Sequence, residues 1–108
     1  MKTLALFDLD HTLLDGDSDE LWCEFLIDRG LLDRAGFEAR NHRMAADYHA
    51  GAVSAQAFCE FYVGILAGRT PGQWQALRED FLHERIEPRL LPAGRECIEA
   101  HRCAGHEL

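Results

Sequence analysis

Leu4-Ala5-Leu6-Phe7-Asp8-Leu9-Asp10-His11-Thr12 is the stretch whose reading decides the fold. Four apolar residues run into two aspartates that are separated by one leucine. The run is short, bounded by charge and rich in large apolar residues, which predicts a buried strand over residues 3–8. Carboxylates at the end of a buried strand are costly unless a cation or phosphate chemistry uses them. With a side-chain period of two, Asp8 and Asp10 project to one side if the extended geometry persists, so both can approach one ion. The plainer alternative is a polar turn that ends the strand. A turn needs only one such residue and gains nothing from the repeat.

Outward from this stretch the charge is uneven. Residues 1–20 hold Asp8, Asp10, Asp15, Asp17, Asp19 and Glu20 against Lys2 alone, and the rest of the chain is close to balanced. An acidic cluster at a strand end suits a divalent cation, although a solvated loop has the same composition. The whole chain has 108 residues and a net charge of −8, with 47% hydrophobic and 28% charged residues. Those values describe one ordinary globular domain with a modest core. The negative charge argues against a nucleic-acid backbone or an anionic membrane as partner.

Lys2 and Leu4–Phe7 resemble the start of a signal peptide, but Asp8 interrupts it too early. No apolar run approaches membrane-spanning length. Cys23, Cys59, Cys97 and Cys103 lack CxxC spacing, and reduced thiols packed in a core are expected. These features together predict a cytoplasmic protein.

After the aspartates the chain turns helical. Asp17 or Ser18 can cap a helix at 18–29 with Leu21, Trp22, Phe25 and Leu26 inward and Gly30 as its stop. Asp33 opens a second at 34–50, with Phe37, Met44 and Tyr48 inward. Ser54 opens a third at 54–67, where Phe58, Phe61, Tyr62, Ile65 and Leu66 follow the helical period. Thr70-Pro71, a cap residue before a proline at the first helical position, opens a fourth at 71–84 with Trp74, Leu77, Phe81 and Leu82 buried. Pro88 and Pro92 bracket an irregular link before a fifth helix at 93–104. The aromatic stripes suit helix packing better than a substrate pocket. A lone strand cannot pair with itself, and His106-Glu107-Leu108 lie just past a helix stop, where an α/β chain begins its next strand. The chain is therefore expected to be the N-terminal part of a longer one.

Residues Leu6–Leu14 resemble the first signature of the haloacid dehalogenase (HAD) superfamily, most of whose members are phosphatases. Helices directly after that signature are similar to the small cap of its phosphoserine phosphatase-like branch. Asp15-Gly16-Asp17-Ser18-Asp19 and the stretch from Ile86 to Gly105 look closer still to bacterial phosphoserine- and histidinol-phosphate phosphatase-like members. The resemblance implies an α/β fold, the HAD-like Rossmann-type core. Of that core this chain would carry the N-terminal portion only, with a helical cap after the first strand, so that the segment itself is mostly α. Residues 1–16 would be the first strand and catalytic loop, 17–85 the cap, and 86–108 the return to the core.

The resemblance also implies roles. Asp8 would be the nucleophile that attacks phosphorus, and the Asp10 side chain the general acid and base. The Asp8 carboxylate and the Asp10 carbonyl would be ligands of Mg²⁺, which offsets the repulsion between two anions. Thr12 and the amides of Leu9 and Asp10 would hold the phosphoryl group. Asp17 would hold the amine of a small phosphorylated metabolite such as phosphoserine or histidinol phosphate. The arginine expected to hold a substrate carboxylate falls near Tyr62, and no arginine lies between Ser54 and Gly68, which leaves room for an amino alcohol phosphate. His11 is open to a local structural or a substrate-facing role. The later family signatures, a Ser or Thr, a Lys and an acidic pair, have no counterpart in this chain, so it is not expected to turn over phosphate alone. A calcium loop anchored on Gly16 puts His11 and Trp22 where ligands are needed and fails. His42 and His49 lie two turns apart without a cysteine in zinc-ligand spacing. The alternative is a non-catalytic helical fragment or interaction module.

Overall fold

The computed structural model describes residues 2–108. Five α-helices follow the first segment: α1 Ser18–Asp28, α2 Arg34–His49, α3 Ala55–Gly64, α4 Pro71–Phe81 and α5 Pro92–Cys103. A π-turn, Leu82–Ile86, and a 3₁₀ turn, Glu87–Arg89, join the last two. None of the helices is long and apolar enough to cross a membrane.

The helix starts follow local capping chemistry. Asp17 Oδ1 accepts the amides of Asp19 and Glu20 at α1, Asp33 Oδ2 accepts that of Gly36 at α2, and Ser54 Oγ accepts that of Ala57 at α3. At α4 the exchange is reciprocal: Thr70 Oγ1 accepts the Gln73 amide while Gln73 Oε1 accepts the Thr70 amide, a capping box.

Three of the stops share one device. Gly30, Gly51 and Gly105 take positive φ after α1, α2 and α5. Each is followed by an amide that reaches back five residues: Leu31 to the Leu26 carbonyl, Ala52 to Asp47 and His106 to His101. This is the Schellman motif, in which glycine takes the left-handed conformation at no steric cost.

Two units divide the chain, one comprising the residues up to Phe25 with Arg78–Leu108, the other Leu26–Leu77. In the second, the α2 and α3 stripes meet through rings. Phe37 stacks on Phe61 at 6.1 Å, Phe58 lies 4.5 Å from Tyr48 and 5.1 Å from Tyr62, and the Tyr62 hydroxyl donates to Asn41 Oδ1. Trp74 is buried, donates its indole N–H to the Leu66 carbonyl and carries Arg69 over its ring. In the first unit, Phe25 is fully buried against Trp22 and Phe81, with ring centroids at 5.8 and 5.5 Å, and those two rings meet each other at 5.0 Å.

Five expectations need correction. No β-strand forms among the described residues. The 3–8 segment is extended but makes a single parallel bridge, Leu4 to Glu107, because a parallel ladder needs neighbouring strands and one rung is all that is present. That segment is also not buried: Leu4 is 60% and Leu6 83% exposed, while Ala5 and Phe7 on the alternate face are half-buried. The fourth helix leaves its α-period at Phe81 instead of continuing to 84, and Leu82 is exposed. A wider π-turn begins there, so the α-period that would carry the stripe of Trp74, Leu77 and Phe81 onward ends at Phe81. Tyr48 and Leu66 are likewise partly exposed, at the margins of their stripes. All four thiols are free, but only Cys23 is buried; Cys59, Cys97 and Cys103 lie on outer helix faces.

Candidate active site

Asp8 ends the extended segment, and its side chain is exposed. The chain then turns sharply. The Leu9 carbonyl accepts the amides of Thr12, Leu13 and Leu14 at 3.2, 3.1 and 3.0 Å, and the His11 amide donates to the Gly16 carbonyl. His11 sits at φ 56°, in the left-handed region that few non-glycine residues adopt. Its backbone conformation is thus part of the turn, which supports the structural role for this residue. The extended geometry therefore stops at Asp8, and Asp10 belongs to the turn.

The amides of Leu9 and Asp10 make no hydrogen bond among the described residues. Donors left free in a tight loop beside a carboxylate are groups that can receive an anion. Thr12 is exposed in the same loop.

Asp10 is half-buried, and its Oδ1 accepts the Ser18 amide at 3.1 Å. The first amides of α1 are thus shared between two carboxylates, Asp10 on Ser18 and Asp17 on Asp19 and Glu20. Asp17 uses only Oδ1 in these bonds. The crowding shows in Asp19, whose carboxyl is raised from its ordinary value by desolvation first and by Asp17 and Asp10 next. The same cluster reaches Cys23, where burial first, then Asp19, Glu24 and Asp17, push the thiol up from 9.0 to about 11.

One remote segment, residues 89–94, holds the loop. The Leu91 amide donates to the Leu13 carbonyl, and Asp15 donates to the Arg89 carbonyl, flanking an antiparallel bridge between Leu14 and Leu90. Arg89 returns a guanidinium bond to the Asp15 carbonyl. Leu14 is fully buried and anchors the turn. Gly94, in the first turn of α5, lies so close that a Cβ there would come within 2.8 Å of the Leu13 side chain. Arg89, Leu91 and Gly94 were not predicted from sequence, since 74 residues separate Asp15 from Arg89 and no local signal links them.

The structure thus brings Asp8, Leu9, Asp10, Thr12 and Asp17 into one loop and helix start. No cluster of three or more His, Cys, Asp or Glu side chains that could hold a metal exists among the described residues. The loop does offer hard oxygen donors in an acidic setting, and neither Asp8 nor Asp10 has an ion-pair partner among the described residues. A magnesium ion takes one or two carboxylates and keeps several waters, so these residues fit part of its shell.

The model of the haloacid dehalogenase-like hydrolase family matches residues 5–108. A histidinol-phosphatase of Neisseria meningitidis serogroup C (strain 8013) is 38% identical over 107 residues, which is 99% of this chain and 48% of that protein. A crystal structure of a protein of unknown function from Bordetella pertussis Tohama I superposes with a TM-score of 0.87 at 37% identity, over 98% of this chain and 48% of that one. The chain spans about half the length of both. Over nearly its whole length, the chain belongs to the haloacid dehalogenase-like hydrolase family.

Proposed function

We propose that this chain carries the nucleophile loop of a Mg²⁺-dependent phosphomonoester hydrolase that works through an aspartyl-phosphate. The observation that carries the reading is the loop itself: an exposed Asp8, a half-buried Asp10 fixed by the Ser18 amide, and free amides at Leu9 and Asp10 between them. An Asp8 oxygen attacks phosphorus as the ester P–O bond breaks. The protonated Asp10 carboxyl gives its proton to the departing alkoxide. The resulting Asp10 carboxylate then takes a proton from water, whose oxygen attacks the same phosphorus. The acyl-phosphate bond breaks, and Asp8 and inorganic phosphate are released. The amides of Leu9 and Asp10, with Thr12, stabilise the equatorial oxygens. The Asp8 carboxylate and the Asp10 carbonyl would hold Mg²⁺, which would supply the charge that lets two anions approach.

The substrate is a small amino alcohol or amino acid phosphate, such as histidinol phosphate or phosphoserine. Asp17, whose Oδ1 caps α1, would receive the amine through Oδ2. No arginine lies between Ser54 and Gly68 to supply a cation for a carboxylate, which favours histidinol phosphate. The helices form a cap on a Rossmann-type core, and the Leu4–Glu107 rung is the pairing with which that sheet begins.

The test joins residues 1–108 to the part of the Neisseria histidinol-phosphatase that they do not match. That chimera should release phosphate from histidinol phosphate in a Mg²⁺-dependent way, and residues 1–108 alone should stay at background. Asp8→Asn should reduce the chimera to background. A chimera that melts cooperatively yet shows no turnover, or one whose turnover survives Asp8→Asn, would remove the basis for the reading and leave the non-catalytic module.

A further inference from the structure

The Schellman motif brings two side chains together, those of the residue three positions inside the helix end and of the residue just after the glycine. That contact is usually apolar. At α1 it follows the rule, for the positions are Leu26 and Leu31, with the Leu31 amide on the Leu26 carbonyl at 2.9 Å. At α5 the backbone is the same: Gly105 donates to the Arg102 carbonyl at 3.0 Å and His106 to the His101 carbonyl at 3.1 Å. Here, however, both side chains are imidazoles. Their Nδ1 atoms lie 2.8 Å apart and their ring centroids 5.1 Å apart, and both residues are half-buried.

Two Nδ1 atoms at that distance share one proton. With no net charge, one ring donates Nδ1–H and the other accepts. With one added proton, the charged ring donates to its neutral partner, a stronger bond. With two added protons both atoms carry hydrogen, and two donors of like charge face each other. We propose that His101 and His106 form a proton-gated clasp that closes the end of α5 onto the first segment and opens when both rings are charged.

What the clasp holds is specific. Glu107, the next residue, makes the parallel rung: it donates to the Thr3 carbonyl at 2.9 Å and accepts the Ala5 amide at 2.8 Å. Phe7 lies edge-on to His101 at 5.8 Å, one residue before Asp8. The charged groups nearby are already engaged. On α5, Glu99 pairs with Arg102 at 2.6 Å and accepts the Cys103 thiol, and past the helix Glu107 pairs with Lys2 at 2.7 Å. The first segment meets His101 with the apolar Phe7 ring. None of these carboxylates bonds to either imidazole among the described residues, so no counter-ion offsets the second proton. The inference does not depend on the phosphatase reading.

The test is amide hydrogen exchange on residues 1–108, read as protection factors so that the intrinsic pH dependence cancels. The α1 cap serves as the internal reference. As the pH is lowered from about 7.5 until nitrogen NMR shows both rings carrying two nitrogen-bound protons, protection of the His106 and Glu107 amides should fall roughly five- to tenfold, as for loss of one hydrogen bond, while Leu31 stays constant. The double variant His101→Leu/His106→Leu, which copies the α1 contact, should keep protection at both pH values. Nitrogen NMR of the rings should show opposite tautomers for the pair at neutral pH. Equal loss at His106 and Leu31, an acid-induced loss that persists in the double leucine variant, or identical tautomers in the two rings would each overturn the proposal.

Discussion

The Leu26–Leu77 unit and the unit that carries Asp8 are built on information of different range. In the first, the starts of α2 and α3 and the stops of α1 and α2 are set within a few residues of the ends they determine. Asp33 caps through Gly36, Ser54 through Ala57, and Gly30 and Gly51 turn the chain after α1 and α2. In the second, the decisive bonds span most of the chain. Leu13 meets Leu91, Asp15 meets Arg89, and Leu4 meets Glu107. A unit of the first kind is readable from sequence and tolerant of local change. A unit of the second kind is fixed by packing, and the candidate site is of this kind.

The sharpest way to break that contrast is to remove packing from the long-range unit. Phe25 is fully buried against Trp22 and Phe81, so Phe25→Ala should cost about 3–5 kcal/mol in urea or thermal unfolding. Leu66→Ala, at a 40% exposed position of the helical unit, should cost far less. Equal costs would mean that the two units do not differ as described.

A smaller effect is expected at Gly16. It sits at φ 150°, and its carbonyl receives the His11 amide. Gly16→Ala forces a side chain into a region used almost only by glycine and should cost about 1–3 kcal/mol. Smaller again are the caps. Asp33→Ala or Thr70→Ala each removes a bond to a helix-start amide and should cost about 1 kcal/mol, without changing the loop around Asp8. A cap variant that lowered stability by several times this amount would show that the helical unit also depends on long-range order.

The last effect is one of pH. With its thiol pushed up to about 11, Cys23 should resist iodoacetamide at pH 8, where Cys59, Cys97 and Cys103 are alkylated. Because the folded state holds that proton more tightly than the unfolded chain, the contribution to stability is complete below pH 9.0 and is lost as the pH rises toward 11. Mass spectrometry of the labelled chain checks the first statement and alkaline unfolding the second.

The same difference in range explains what the sequence disclosed. The helix boundaries were legible to within a few residues at most because caps, glycine stops and Pro71 act locally. The Asp8-Leu9-Asp10 stretch identified the family, but not the geometry of the turn. Three amides converging on the Leu9 carbonyl and the left-handed His11 depend on the anchoring of Leu14 and on residues 89–94, far along the chain. The π-turn at Leu82 was hidden because an apolar residue there continues the α4 stripe on paper. The exposure of Leu4 and Leu6 was hidden for the opposite reason: an apolar run says that burial is favourable, not which partner provides it.

The claim that Asp8 accepts the phosphoryl group is tested most directly by trapping a phosphoryl mimic on it. Fluorine NMR of the chimera with Mg²⁺ and beryllofluoride should show a bound resonance that is absent in Asp8→Asn and retained in Asp10→Asn, the latter without turnover. A bound resonance of undiminished intensity in Asp8→Asn would contradict the account.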